Sequence, residues 1–202
     1  MILNQYLAKA QGVGVNVELL SLSDLNLRLA ALVGELQAKS VALPLVGWPE
    51  PLLRTVKTEV EKCGSAIVSP MRRMDGGYEW NRSALGSANL GITFCGAFIA
   101  ETGSLAFPAG PGLGTLASLL PETHLALSYA KDCRPDLGGY LAEFGADIPS
   151  RLTFVTGPSR TGDIEASMTT CVHGPGRVLH WIISEGWRWV INNPLTSVFT
   201  LC

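Results

Sequence analysis

The chain has 202 residues, of which 47% are hydrophobic and 16% are charged. This balance excludes an intrinsically disordered chain, and the net charge of −2 excludes the basic surface of a nucleic-acid-binding protein or a polybasic membrane patch. No apolar stretch approaches the roughly 20 residues that cross a bilayer, so we expect no membrane span.

Short apolar runs alternate with amphipathic stretches along the chain. Leu25, Leu29 and Leu32 recur at helical spacing, and Pro49 and Pro51 suit the start of the next helix. Strands are predicted at 16–20, 41–46, 66–68, 90–94, 104–107, 125–129, 152–156 and 178–183. Helices are predicted at 23–38, 52–63, 95–100, 115–119, 137–144 and 164–170. This alternation predicts one α/β domain over 1–202, with a mostly parallel sheet and helices on both faces.

Two segments have no clear pattern: 70–89, which reads as a connecting excursion or a flap, and the tail at 189–202. Trp181 is expected in the core.

The mean hydropathy of +0.26 fits either a well-buried sheet or an apolar interface such as that of a homo-oligomer, and composition does not separate the two.

The five cysteines are scattered over the chain, at positions 63, 95, 133, 171 and 202, and form no CxxC pair. This spacing supplies neither a zinc nor an iron–sulfur ligand set, so we expect no metal and no cofactor in this chain. An odd, scattered count is typical of reduced thiols in a cytoplasmic protein. Residues 1–10 lack the apolar core of a signal peptide.

Three polar turns are candidate sites, because ligands of α/β sheets collect at the carboxyl ends of strands. The first turn contains Thr102, Gly103 and Ser104, whose hydroxyls and flexible backbone can bind an anion. The alternative is a helix end closed by Gly103, with Glu101 in solvent.

The second turn begins at Thr156 and is rich in Gly, Ser and Thr, with a single guanidinium. Such a loop can hold a phosphate or carboxylate. Two acids follow in the first turn of the helix predicted next, and the alternative is that Arg160 pairs with one of them. The candidate ligand-binding residues of this turn are Gly157, Ser159, Arg160, Thr161, Asp163 and Glu165.

The third turn contains His173 and Gly174. A histidine titrates near neutral pH and suits acid–base chemistry, although a lone histidine in a turn also serves structure alone. His124 and His180 flank strands and are expected to be packing residues. We predict that Thr102, Ser159, Arg160 and His173 converge on one cleft at the carboxyl ends of the strands.

The same turns carry a family resemblance. The order Gly91-Ile92-Thr93, AETGS (100–104), LLP (119–121), TGPSRTGDIE (156–165) and VHGP (172–175) resembles the LUD domain, the family of lactate-utilisation proteins C, over roughly 10–185. Here Gly176 intervenes before Arg177, whereas the family pattern has a basic residue directly after HGP.

The resemblance implies a fold of the sugar-phosphate isomerase and CoA-transferase-like type. It also implies a role in a lactate-utilisation system that oxidises L-lactate to pyruvate. In that system, partner subunits carry the iron–sulfur clusters, and this chain binds a small carboxylate, a phosphate or a partner. The alternative is an independent transferase or ligase-like enzyme, because Glu101-Thr102-Gly103 has the form of the turn that carries a glutamate nucleophile in CoA transferases. The catalytic candidates are Glu101 and His173.

Overall fold

The computed structural model describes residues 2–75, 77–108, 115–162, 168–170 and 174–184, and at 72–74, 77–78, 160–162 and 168–170 it describes the backbone alone. The first half contains α1 (Ile2–Gly12), β1 (Val15–Leu20), α2 (Leu25–Glu35), β2 (Ser40–Ala42), α3 (Glu50–Lys62), β3 (Ala66–Val68), β4 (Met71–Met74), β5 (Gly77–Trp80), α4 (Arg82–Gly86), β6 (Leu90–Phe94), β7 (Ala97–Ile99) and β8 (Ser104–Pro108). The second half contains a 3-10 turn (Thr115–Ser118), β9 (Thr123–Tyr129), a second 3-10 turn (Ala130–Asp132), β10 (Cys133–Arg134), α5 (Leu137–Ala142), β11 (Leu152–Val155), β12 (Arg160–Gly162), β13 (Met168–Thr170) and β14 (Arg177–Ile183).

Six strands form a fully parallel sheet in the order β1-β14-β9-β6-β2-β3. All seven residues of β9 are buried, as are the last six of β14. A parallel sheet needs cover on both faces, and this sheet has it: α2 and α3 pack on one face and α1 on the other. The predicted α/β fold with a mostly parallel sheet is therefore confirmed.

Side chains of the central strands alternate between the two faces. In β14, Leu179, Trp181 and Ile183 face α2 and α3, whereas Val178 and Ile182 face α1. Trp181 is fully buried, as expected.

A second sheet, in the order β10-β7-β8-β11, covers the α1 side of the parallel sheet. Within it β8 runs antiparallel to both β7 and β11. Phe98 of β7 and Leu105 of β8 share one apolar cluster with Tyr6 of α1. The space between the two sheets is therefore part of the core.

Two predicted helices are wrong. The 95–100 segment contains β7, because Ala97, Phe98 and Ile99 pair with β8 and are all fully buried. A run this short has too few residues for its periodicity to separate strand from helix. In the 164–170 segment, Met168–Thr170 is strand β13, paired with β12, and 163–167 lie outside the described residues.

Other predicted elements are shorter than expected or of another type. The 70–89 excursion contains the β4–β5 hairpin and the short helix α4, and the strand predicted at 41–46 ends at Ala42. The 115–119 segment is a 3-10 turn. Helix α1 was not predicted. The 189–202 tail lies outside the described residues. Among the described helices, none has both the length and the apolar character needed to span a bilayer.

Candidate functional site

The first polar turn connects β7 to β8 and packs tightly on the end of α1. Gly103 has φ +72°, and a β-carbon there would lie 2.6 Å from the backbone nitrogen of Ala10. Only glycine fits this position without a shift of the helix. Glu101 is exposed to solvent in this turn, and its backbone N–H donates to the carbonyl of Pro135 at 3.0 Å.

A chain of hydroxyl groups joins the first turn to the second. The hydroxyls of Thr102 and Ser104 share a hydrogen bond of 2.7 Å, and those of Ser104 and Thr156 share one of 2.8 Å. The contact follows from strand register, since Leu105 pairs with Val155 and the next positions outward are Ser104 and Thr156. Ser104 is buried, whereas Thr102 and Thr156 are exposed. Both ends of the hydroxyl chain therefore reach solvent.

The second turn meets the third through its backbone. The N–H of Ser159 donates to the carbonyl of Pro175 at 2.9 Å. A β-carbon on Gly174 would lie 3.2 Å from Cβ of Ser159. The second and third turns thus contact each other directly.

The cluster of these three turns lies at the amino end of the parallel sheet. Gly174 precedes β14, and the N–H of Gly176 donates to the carbonyl of Glu122, just before β9. Gly157 faces Val13, just before β1. The expectation of a cleft at the carboxyl ends is therefore wrong for this cluster. The reason is that Thr156 follows β11, a strand of the second sheet, and the third turn leads into its strand rather than out of it.

Several predicted site residues are not placed by the structure. Arg160 and Thr161 belong to β12, where the backbone alone is described. Asp163, Glu165 and His173 lie outside the described residues. Convergence of Arg160 and His173 on the cluster of three turns thus stays a prediction.

Thr156 is a member of this cluster that was not selected as a candidate ligand-binding residue. The available signal was its position, as the first polar residue after the apolar run of β11. Its contact with Ser104 spans 52 positions and depends on the pairing of β8 with β11. Sequence alone did not specify that pairing.

The two described histidines are fully buried between the sheets. His180 bonds the Tyr6 hydroxyl through Nδ1 at 2.6 Å and the Ser128 hydroxyl through Nε2 at 2.7 Å. Burial lowers the pKa of His124 and of His180 to about 3, so both rings are neutral at physiological pH. Burial likewise raises the pKa of the Cys95 thiol to about 12, which makes it a poor nucleophile.

The described part of the chain offers no cluster of metal ligands. There, no three or more His, Cys, Asp and Glu side chains are grouped so that they could hold a metal ion. The chemistry of the described cluster is thus that of hydroxyls and backbone groups.

The LUD domain family model matches residues 3–183. Lactate utilization protein C from Geobacillus sp. (strain WCH70) is 30% identical over 170 residues, which are 75% of this chain and 66% of that protein. Lactate utilization protein C from Bacillus subtilis (strain 168) is 32% identical over 104 residues, which are 48% of this chain and 43% of that protein. The chain thus spans about two thirds of the first relative's length and less than half of the second's.

A solved structure shares the fold. The crystal structure of a DUF162 family protein from Deinococcus radiodurans superposes with a TM-score of 0.64 at 21% identity, covering 91% of this chain and 96% of that one. The match of the family model extends over both sheets and over all the described turns of the cluster. The chain belongs to the LUD domain family.

Proposed function

We propose that this chain is a component of a lactate-utilisation system that oxidises L-lactate to pyruvate, and that it binds a small carboxylate or a partner subunit. Its family and the name of its relatives, Lactate utilization protein C, support this role. In this proposal the chain works in the cytoplasm without a cluster of its own. The family resemblance implies that iron–sulfur clusters belong to the partner subunits, and the scattered cysteines of this chain, which have no ligand spacing, agree with this.

The observation that carries the proposed binding site is the meeting of three polar turns at the amino end of β14. The hydroxyls of Thr102, Ser104 and Thr156 form one hydrogen-bonded chain, and Ser159 lies beside Gly174. Exposed hydroxyls at the two ends of that chain can donate to a carboxylate or a phosphate.

A positive charge is needed to complete this anion site. The carboxyl end of α1 contacts the turns through Ala10 and Val13. The partial negative charge at this end of a helix disfavours the binding of an anion. We assign the compensating charge to Arg160, which directly follows Ser159 in the chain, with Thr161 assisting. A guanidinium–carboxylate contact contributes about 1.5–3 kcal/mol when it is shielded from water.

Purification of the native protein from cells grown on L-lactate tests the role in the system. We expect a cysteine-rich protein containing iron to co-purify, and mass spectrometry to find a small carboxylate in the preparation. Recovery of the chain from such cells with neither an iron-containing partner nor a carboxylate contradicts the proposal.

Calorimetric titration with L-lactate, pyruvate and inorganic phosphate tests the anion site. Arg160→Lys keeps the charge but loses the planar fork, so affinity should fall about tenfold, and Arg160→Ala should lower it further. Asp163→Asn is the matched control: if Arg160 serves the ligand, removing this carboxylate leaves affinity unchanged or raises it. If Arg160 instead pairs with Asp163, both Arg160→Ala and Asp163→Asn lower the melting temperature and leave binding unaltered. Unchanged affinity in Arg160→Ala refutes the site.

A further inference from the structure

A separate cavity of about 170 Å³ lies at the carboxyl ends of β2 and β6, between the parallel sheet and the second sheet. It is at the opposite end of the parallel sheet from the cluster of three turns. The loop after β2 forms one wall, and Phe107 and Pro108 at the end of β8 form another. Val46, on the loop wall, is 52% exposed, so the cavity opens to solvent.

The walls of this cavity are aromatic and uncharged. Trp48 and Phe94 lie side by side, with ring centroids 5.9 Å apart. None of the described residues that line the cavity carries a charge. An apolar cavity of about 150 Å³ accommodates benzene, so this one has room for a single six-membered ring. Without a charged wall, a charged group placed inside the cavity would lose its hydration uncompensated, so the part of a ligand that enters is uncharged.

Two polar side chains, those of Thr115 and Thr93, interrupt the apolar lining. Thr93 of β6 is 4% exposed and lines the cavity. Its Oγ1 lies 2.7 Å from Nε2 of His124 on the neighbouring strand β9. His124 also packs against the Phe107 ring, with centroids 5.6 Å apart. The histidine therefore lies directly behind two residues of the cavity wall.

The hydrogen-bond pattern of His124 sets the direction of this contact. Its ring is neutral and carries one N–H, because burial holds its pKa at about 3. Among the described residues, Nδ1 has no hydrogen-bond partner. A buried N–H without a partner is rarer and costlier than an unused lone pair, so the hydrogen belongs on Nε2, which donates to Thr93. The hydroxyl of Thr93 then keeps its own hydrogen for an acceptor in the cavity.

We propose that this cavity binds a small, uncharged molecule of one six-membered ring that carries a carbonyl group. The ring packs against Trp48, Phe94 and Phe107, and the carbonyl oxygen accepts the hydroxyl hydrogen of Thr93. His124 is a positioning residue: it occupies the acceptor side of the Thr93 hydroxyl and so directs its hydrogen toward the ligand. This site goes beyond the proposed function and shares no residue with the cluster of three turns.

The test uses two ring compounds of similar size: benzamide, which has a carbonyl acceptor, and toluene, which has none. Each is titrated into the ¹⁵N-labelled full chain up to its solubility limit. We expect benzamide to shift the Trp48 indole and Thr93 amide resonances and to bind more tightly than toluene. Absence of shifts at both positions overturns the proposal.

Substitution of Thr93 separates the hydrogen bond from simple apolar packing. Thr93→Val replaces the hydroxyl with a methyl group of similar size and so removes the donor, and benzamide affinity should fall about tenfold while toluene affinity is unchanged. Thr93→Ser keeps the hydroxyl and should retain benzamide binding. Thr123→Val is the matched control, since Thr123 is a buried threonine at the amino end of β9, away from the cavity. Equal benzamide affinity in Thr93→Val and the unmodified protein overturns the assigned donor.

Discussion

Gly157 faces the carbonyl of Val13 so closely that a β-carbon on the glycine would lie 2.0 Å from that oxygen. The contact fixes the turn after β11 against the junction of α1 and β1. Gly157 also has φ +88°, a backbone conformation that residues with a β-carbon rarely adopt. Two independent physical reasons therefore require glycine at this position.

Gly157→Ala should lower the free energy of unfolding by about 3 kcal/mol or more, from backbone strain plus steric overlap. Gly64→Ala is the matched control, because Gly64 has φ +77° but open space around the added methyl group. Gly64→Ala should lower the free energy of unfolding only by the backbone strain, about 1–2 kcal/mol. Urea unfolding of both variants measures the difference, and equal losses would show that the Val13 contact does not constrain the turn.

The hydroxyl chain should contribute measurable coupling between Ser104 and Thr156. Ser104→Ala removes a buried hydroxyl with two partners and should cost about 1 kcal/mol or more. A double-mutant cycle with Thr156→Val should give a coupling energy of about 0.5–1 kcal/mol. Ser87→Ala, at an exposed serine that donates to the Ala84 carbonyl, is the control and should be nearly neutral. Strict additivity of the two losses would exclude a coupled chain.

Acid should destabilise the protein through its two buried histidines. Burial lowers the pKa of His124 and of His180 to about 3 in the folded chain, against about 6.5 when unfolded. As pH falls below 6.5 the unfolded state gains protons that the folded state does not, so stability is lost. Between pH 7.5 and pH 5 the loss is about 2 kcal/mol for each histidine.

Chemical denaturation at the two pH values measures this loss. Replacing His180 with Gln should remove about 2 kcal/mol of the difference between them. Tyr6→Phe, which removes the hydrogen bond to His180 Nδ1 but no group that titrates in this range, should lower stability equally at both pH values. In NMR titrations of the unmodified chain, either ring becoming protonated above pH 5 in the folded state would contradict the argument.

Cys63 and Cys95 should differ sharply in reactivity. Cys63 is exposed, whereas Cys95 is fully buried, and its Sγ–H donates to the carbonyl of Ala97 at 2.7 Å. Burial raises the pKa of the Cys95 thiol to about 12, so almost no thiolate forms near neutral pH. Iodoacetamide at pH 8 should alkylate Cys63 in the native protein and Cys95 only in urea. Peptide mass spectrometry checks this, and similar native rates at both cysteines would refute it.

The local sequence pattern is sufficient to predict elements in which apolar residues recur regularly over several turns. The leucines at 25, 29 and 32 predict α2, and these three side chains are indeed fully buried. The sequence of helix α1 has a comparable spacing, since Tyr6 and Ala10 are four residues apart, and the structure shows that both are buried. The sequence prediction for residues 1–10 is only that they lack the apolar core of a signal peptide, so it does not include helix α1.

The arrangement of the site residues could not be predicted from the sequence, because it depends on pairing between strands far apart in the chain. The polar character of Thr102, Ser104 and Ser159 is visible in the sequence, but their arrangement depends on β8 pairing antiparallel with β11. That pairing places the turns at the amino end of the parallel sheet. The Thr93–His124 contact arises in the same way, from the pairing of β6 with β9 across 31 positions.

The place of β14 in the parallel sheet affects how the chain folds as it is made. This strand inserts between β1 and β9, yet roughly 160 residues separate it from β1. At a translation rate of about 5–20 residues per second, β1 waits about 8–30 s for its neighbour to be synthesised. β1 presents an unpaired edge to other chains in the cell throughout that interval, and β9 does so for about the last 2–10 s of it. A nascent chain stalled before Arg177 is therefore a natural client for chaperones.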